Sequence, residues 1–233
     1  MITIKYLDWD SVFFGLKIGQ AEVPFLDAGI ITELKTARRK GDFDLVYLFT
    51  DNPRSEARGS KPDILPEPVD IKVTYSKTVV GGEELHYPGI RTYDGPVTGK
   101  LTDLAIESGH MSRFRKDQRL NPRFVDMYTA WISGSVSGEL ADAVLVSEDQ
   151  DDINGFITLK KNGPVCTVGL IAVDSMSRGR GIGGGLLKEA AVWSLEKDCH
   201  EIRVATQTEN QGACRLYEKN GYSVMSVKYI FHI

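Results

Sequence analysis

The sequence predicts an α/β (α+β) fold: a mixed central sheet with flanking helices. Three observations carry this. Strand-like and helix-like stretches alternate along the whole chain. The strand candidates are of two kinds, the alternating "VDIKVTYSKTVV" and the almost wholly apolar "FDLVYLF", the second being the pattern of a strand buried on both faces. The helix candidates carry apolar residues three and four apart, as amphipathic helices lying on a sheet require.

Composition narrows the function classes. Of 233 residues, 42% are apolar and 26% charged, an ordinary globular balance. The net charge of −4 gives no drive towards nucleic acid or an anionic membrane. No apolar run approaches the ~20 residues that span a bilayer. The opening "MITIKYLDWDSVFFG" lacks the basic start of a signal peptide. The three cysteines, Cys166, Cys199 and Cys214, form no CxxC pair, and His86, His110, His200 and His232 are scattered. The expectation is a reduced, cytoplasmic protein with no disulfide framework and no metal site.

The elements follow in order. Residues 2–6 and 16–23 are strands. A helix over 27–41 starts at Asp27, buries Ile30, Ile31, Leu34 and Ala37 on one face, and stops at Gly41. Residues 43–49 are a strand, 51–68 a proline-rich loop, and 69–80 a strand. In "DSVFFG" the two phenylalanines read as core, ended by a glycine turn. "GGEELHYPG" (81–89) reads as a linker, so a smaller α/β module over 1–85 precedes a domain over 88–233. That domain opens with a strand from residue 90 and a helix over 100–108. A polar, basic loop spans 109–122. The helix over 122–136 carries Phe124, Met127, Tyr128 and Trp131 on one face, with Trp131 and Trp193 assigned to the core. Strands near 142–147, 153–160 and 164–173 come next, then a helix at 179–197, a strand at 201–207, a helix at 210–219 and a strand at 222–231.

"SRGRGIGGGLL" (177–187) opens the 179–197 helix with glycines at 179, 181, 183, 184 and 185, each costing about 1 kcal/mol against alanine in a helix interior. The first four N–H groups of a helix have no intrahelical partner and lie at the positive end of its dipole. Glycine lets an anion approach them and permits the backbone turn; Arg178 and Arg180 add mobile positive charge. The alternatives are a glycine-rich turn packed on the sheet, or a dinucleotide fold. Glu196 and Asp198 lie before the next strand, where a dinucleotide fold would not place its acid.

With its context, "LIAVDSMSRGRGIGGGLL" (170–187) resembles the donor motif of the GNAT acetyltransferase superfamily, and "ENQGACRLYEKNGY" (209–222) resembles that family's second motif. The resemblance covers about 90–233. It implies a sheet splayed at an acetyl-CoA site, with the diphosphate on main-chain amides of Arg178, Gly179, Arg180, Gly181, Ile182, Gly183 and Gly184. The pantetheine arm would lie along Leu170, Ile171, Ala172 and Val173. It further implies that Asn210 and Ala213 line the donor and that Tyr217 protonates the departing thiolate after direct attack by an amine. Spacing is compatible with this: Asn210, Ala213 and Tyr217 fall at i, i+3 and i+7, and a phenol with pKa ~10 keeps its proton at neutral pH. An oxyanion donor is expected from the amide of Ile171, Ala172 or Val173. Glu107, His110 and Asp174 are candidate bases by location alone.

"SRFR" (112–115) is expected as an extended acceptor-side loop, Arg113 and Arg115 on one face and Phe114 opposite, where two guanidiniums suit phosphates and an aromatic ring suits a base or sugar. A solvated basic loop paired to Asp103 or Glu107 is the plain alternative. Over nearly the whole chain, including "WDSVFFGLKIGQAEV" (9–23), the sequence resembles those GNAT enzymes that acetylate the 4-amine of a TDP-linked 4-amino-4,6-dideoxy sugar. That likeness implies a nucleotide-linked amino sugar as acceptor and places Arg113, Phe114, Arg115 and Gln207 on its side of the site. Acetylation of another amine (a protein N-terminus, a lysine or a small metabolite) and a non-catalytic acyl-CoA-binding module stay open. A homodimer is compatible with the sequence but not specified by it.

Overall fold

The computed structural model describes residues 2–53, 65–81, 87–150 and 152–233. In chain order the elements are β1 (Lys5–Tyr6), α1 (Asp8–Phe14), β2 (Ile18–Val23), α2 (Ala28–Lys40), β3 (Leu45–Thr50), β4 (Asp70–Thr78), β5 (Ile90–Thr92), α3 (Gly99–Ser108) and α4 (Arg113–Lys116). There follow α5 (Phe124–Val136), β6 (Ala143–Asp149), β7 (Asp152–Asn162), β8 (Val165–Val173), α6 (Ile182–Glu196), β9 (Glu201–Gln207), α7 (Gln211–Lys219) and β10 (Ser223–His232). They form two compact units, Met1–Val73 with Ser226–Ile233, and Thr74–Met225.

In the first unit β2 and β3 run parallel from Ile18↔Leu45 to Val23↔Thr50. β1 flanks β2 antiparallel, and the end of β10 flanks β3 antiparallel. The crossover helix α2 begins where the Asp27 carboxylate accepts the Ile30 N–H at 2.7 Å, satisfying one of its orphan donors. Leu26, Leu34, Leu48 and Phe231 fill the core beneath it. The return of the last residues to this unit was not expected from chain order. Nor was α1: "DWDSVFF" is a helix closed by Gly15 at φ +67°, which buries Phe14 but leaves Trp9 57% exposed. Most of the expected loop 51–68 and linker 81–89 lies outside the described residues.

In the second unit the strand order is β4-β9-β8-β7-β6-β5. β5 to β8 pair antiparallel in succession, and β8 pairs parallel with β9. Helix α3 starts at Thr98, whose hydroxyl accepts the Leu101 N–H at 3.2 Å, and packs on α5; α6 packs along β7 and β6. The mixed α/β architecture is the expected one. The expected basic loop 109–122 contains the one-turn helix α4 and a 3-10 turn at Asn121–Arg123. Among the described residues no helix is long and apolar enough to cross a membrane.

Candidate active site

β8 and β9 pair only from Val165↔Glu201 to Val168↔Val204. β8 then bulges: Leu159 faces Val168 and Ile157 faces Ile171, so Gly169 and Leu170 together oppose Thr158. Thr158, 1% exposed, holds the bulge by accepting the Leu170 N–H on its hydroxyl at 2.9 Å. A two-against-one bulge bends its strand away from a neighbour, and a cleft opens between β8 and β9. Main-chain groups alternate in direction along a strand. The Leu170 and Asp174 amides point towards β7, the latter to Asn154 O at 2.8 Å. The amides of Ile171 and Val173 therefore face the cleft, and that of Ala172 faces β7.

The chain leaves β8 through a 3-10 turn, Ser175–Ser177, capped by Asp174. Gly179 (φ +78°) and Gly181 (φ +86°) then take left-handed conformations, which postpones the start of α6 to Ile182. No side chain caps this helix at Gly181, in contrast to Asp27 on α2, so its first amides keep their capacity for an outside acceptor. Arg178 donates to Val173 O at 3.2 Å and to Glu107 at 3.0 Å; Arg180 donates to Asp149 at 3.1 Å. These half-exposed pairs are worth about 0–1 kcal/mol, and a phosphate can displace them.

The remaining glycines serve packing as well. A Cβ on Gly183 would lie 3.0 Å from Leu216 of α7, one on Gly184 3.3 Å from Asn220, and one on Gly185 2.6 Å from the Tyr87 ring. The Tyr87 hydroxyl also reaches Gly181, 3.0 Å from a Cβ there, and its N–H donates to Glu189 of α6. Tyr87 thus borders the helix mouth, a placement the sequence did not signal.

Asn210 caps α7, its Oδ1 accepting the Ala213 N–H at 3.1 Å. It precedes the helix rather than sharing a helical face with Tyr217, and its Nδ2 carries the remaining donors. Gln207 ends β9, three residues beyond the last one that pairs with β8, and its carbonyl accepts the Asn210 N–H at 2.9 Å. Tyr217 is 2% exposed, its ring 5.5 Å from Tyr75 and 6.1 Å from Tyr222. Burial, then the Cys214 thiol, pushes its pKa well above the usual phenol range. The proton is held throughout the neutral range. Among the described residues its hydroxyl makes no hydrogen bond. Asp174 moves the other way: Lys100 and the Met176 N–H hold its carboxyl below the usual range, a poor setting for a general base. Glu107 is paired to Arg178.

Arg113, Phe114 and Arg115 form one helical turn, not an extended loop, so two residues apart the arginines do not share a face. Each covers an aromatic ring: Arg113 lies over Phe114 at 4.3 Å and Arg115 over Phe124 at 5.2 Å. The next residue, Lys116, donates to Glu209 at 2.7 Å. That pair, not singled out in the sequence, ties α4 to the β9–α7 turn that carries Gln207 and Asn210. Among the described residues no cluster of potential metal ligands occurs, and all three cysteines are buried and free.

The Acetyltransferase (GNAT) family model matches residues 107–222, spanning α4 to α7. A curated relative, the dTDP-fucosamine acetyltransferase of Escherichia coli O6:H1, is 30% identical over 97% of this chain and 96% of its own length. The chain belongs to the GNAT acetyltransferase family. Solved structures agree in fold. A GCN5-related N-acetyltransferase from Sphaerobacter thermophilus has a TM-score of 0.52 at 18% identity, covering 92% of this chain and 72% of that one. A PaiA N-acetyltransferase from Thermoplasma acidophilum, solved with coenzyme A, has a TM-score of 0.50 at 19% identity, covering 61% and 97%.

As a GNAT acetyltransferase the protein uses acetyl-CoA, and the residues present fit that donor. An uncapped helix mouth suits a diphosphate. The strand edge beyond Val168, with the Ile171 and Val173 main chain turned outwards, suits the amide-bearing pantetheine arm.

Proposed function

We propose that this acetyltransferase transfers the acetyl group of acetyl-CoA to the amine of a nucleotide-linked 4-amino-4,6-dideoxy sugar. One observation carries the acceptor: the relative named for dTDP-fucosamine matches along 97% of the chain, beyond the 107–222 region common to the GNAT family. The acceptor side supports it. Arg113 and Arg115, each on an aromatic ring, offer planar cations to a diphosphate, and Lys116–Glu209 ties them to the donor end.

Acetyl-CoA supplies a thioester open to direct attack by an amine. Bound amides of Arg178 to Gly184 hold its diphosphate, and Leu170 to Val173 align its arm. The amide of Ile171 or Val173 offers the hydrogen bond that stabilises negative charge on the carbonyl oxygen. Asn210 and Ala213 line the donor. Tyr217 holds its proton for the thiolate, in surroundings that oppose its ionisation. Asp174 and Glu107 are engaged by Lys100 and Arg178, and the attacking amine sheds its proton to solvent. Most of the acceleration comes from holding amine and thioester together.

The test is thiol release from acetyl-CoA across TDP- and UDP-linked amino sugars, peptides and free amines. Turnover highest with TDP-linked 4-amino-4,6-dideoxy sugars is expected. Turnover confined to peptides or free amines would overturn the acceptor assignment.

A further inference from the structure

We infer that Trp131 is an acceptor-binding residue: its indole forms the wall of the site where the amine meets the thioester, and its N–H donates to the acceptor. The inference starts at the β8 bulge. Gly169 is exposed although it lies within a strand that is mostly buried. A Cβ there would lie 2.8 Å from Thr158 Oγ1 and 3.7 Å from Trp131 Nε1. The Thr158 hydroxyl thus requires a glycine at 169, and the exposed main chain of Gly169 lies beside the indole nitrogen. β8 pairs with β9 no further than Val168, so Gly169 and the indole edge adjoin the donor cleft.

The indole is held in place from behind. Its ring stacks on Tyr128, with 5.7 Å between centroids and 25° between planes, and Tyr128 packs on Phe124 at 4.9 Å. Tyr128 is itself fixed by α3, since a Cβ on Gly109 would fall 1.9 Å from its ring. Tyr128 is 4% exposed and Phe124 2%, whereas Trp131 is only half-buried. A preorganised aromatic face with one free edge is how a sugar ring is received, apolar carbons on the ring and a hydroxyl on the N–H.

The spacing suits one ligand. Arg115 covers Phe124 at the start of α5, and Trp131 follows seven residues later, ~10 Å along the helix. A cation at one end and an indole beside the thioester at the other match a diphosphate and an amine separated by a sugar ring. The ligand's identity rests on the function proposed above; the role of Trp131 does not.

W131F keeps a ring and deletes the donor. Acceptor KM is expected to rise about tenfold, the loss of one hydrogen bond with its unpaired partner, with kcat within about threefold and CoA affinity unchanged; W131A should raise KM further. In 15N-labelled protein the Trp131 Nε1–H resonance, one of three indole signals and identified by its absence in W131F, should shift on titration with dTDP-4-amino-4,6-dideoxygalactose in the presence of CoA. An unmoved resonance in protein that acetylates this sugar, or an unchanged acceptor KM in both variants, would overturn the role. Should the wild type acetylate only a different amine, the proposed acceptor fails, and the same titration with that amine decides Trp131 separately.

Discussion

Val168 of β8 and Val204 of β9 are the last residues at which these parallel strands pair. In the first unit the corresponding crossover stays paired to its final residues, Val23 and Thr50, and its helix mouth is closed by Asp27. Both units therefore contain a strand, a helix and a parallel strand. Among the described residues only the second has a bulge where these strands part and a crossover helix that starts without a side-chain cap.

The bulge is held by a single hydroxyl. Thr158→Val keeps the shape and strands the buried Leu170 N–H, at a cost of about 1–3 kcal/mol. The thermal midpoint should fall by several degrees and CoA affinity with it. Calorimetric unfolding and CoA titration of the variant check both effects; an unchanged midpoint would show that the hydroxyl does not hold the strand.

Tyr217→Phe removes the proton donor but not the ring that packs on Tyr75 and Tyr222. Turnover should drop ~10²–10⁴-fold while CoA affinity and thermal stability stay near wild type. Steady-state kinetics with CoA titration measure this. In the wild type, with the phenol pKa raised, kcat should show no basic limb from this residue below about pH 10.

Arg113→Ala and Arg115→Ala should each raise the acceptor KM more than the donor KM, with lysine restoring part of the loss because it replaces charge but not a planar fork. Initial rates with each substrate varied in turn distinguish the sites. A larger effect on the donor would move these arginines to the coenzyme.

Stability should decline in alkali before the usual tyrosine range. Burial pushes the Cys166 thiol up to about 11, against about 8.5 in an unfolded chain. A group whose pKa is raised by folding contributes fully below its unfolded pKa and loses that contribution as pH rises through the folded value. The contribution of Cys166 is therefore present up to about pH 8.5 and fades between there and about pH 11. Tyr217 and Tyr75, also raised mainly by burial, add to the decline above about pH 10. Calorimetry from pH 7 to 10 should show a falling midpoint, and Cys166→Ala should flatten the fall.

The glycine turn after β8 and the helices that follow it were legible because their signals are local. A glycine run after an apolar strand, and a tyrosine seven residues beyond an asparagine, need no knowledge of distant contacts. What escaped depends on partners far along the chain. Periodicity put Trp131 on the face of Phe124 and Tyr128, where it stacks, but no local pattern announces that its indole edge lies beside Gly169, 38 positions on. Gly183 to Gly185 read as clearance for an anion, whereas Leu216, Asn220 and Tyr87 also require them small. Four residues are too few to announce α4, and a proline-free stretch of arginines looked equally extended. The pairing of β10 with β3 closes the first unit from the far end of the sequence, beyond the reach of any local pattern.

The proposed grip on the coenzyme depends on the uncapped amides at the start of α6. The most direct measurement follows the 15N–1H signals of Gly181, Gly183 and Gly184 as the protein is titrated with coenzyme A and, separately, with pantetheine, which has no diphosphate. Coenzyme A should shift all three amide protons strongly and pantetheine should leave them nearly in place. Glycine signals that stay still while coenzyme A saturates the protein, or that respond equally to pantetheine, would contradict it.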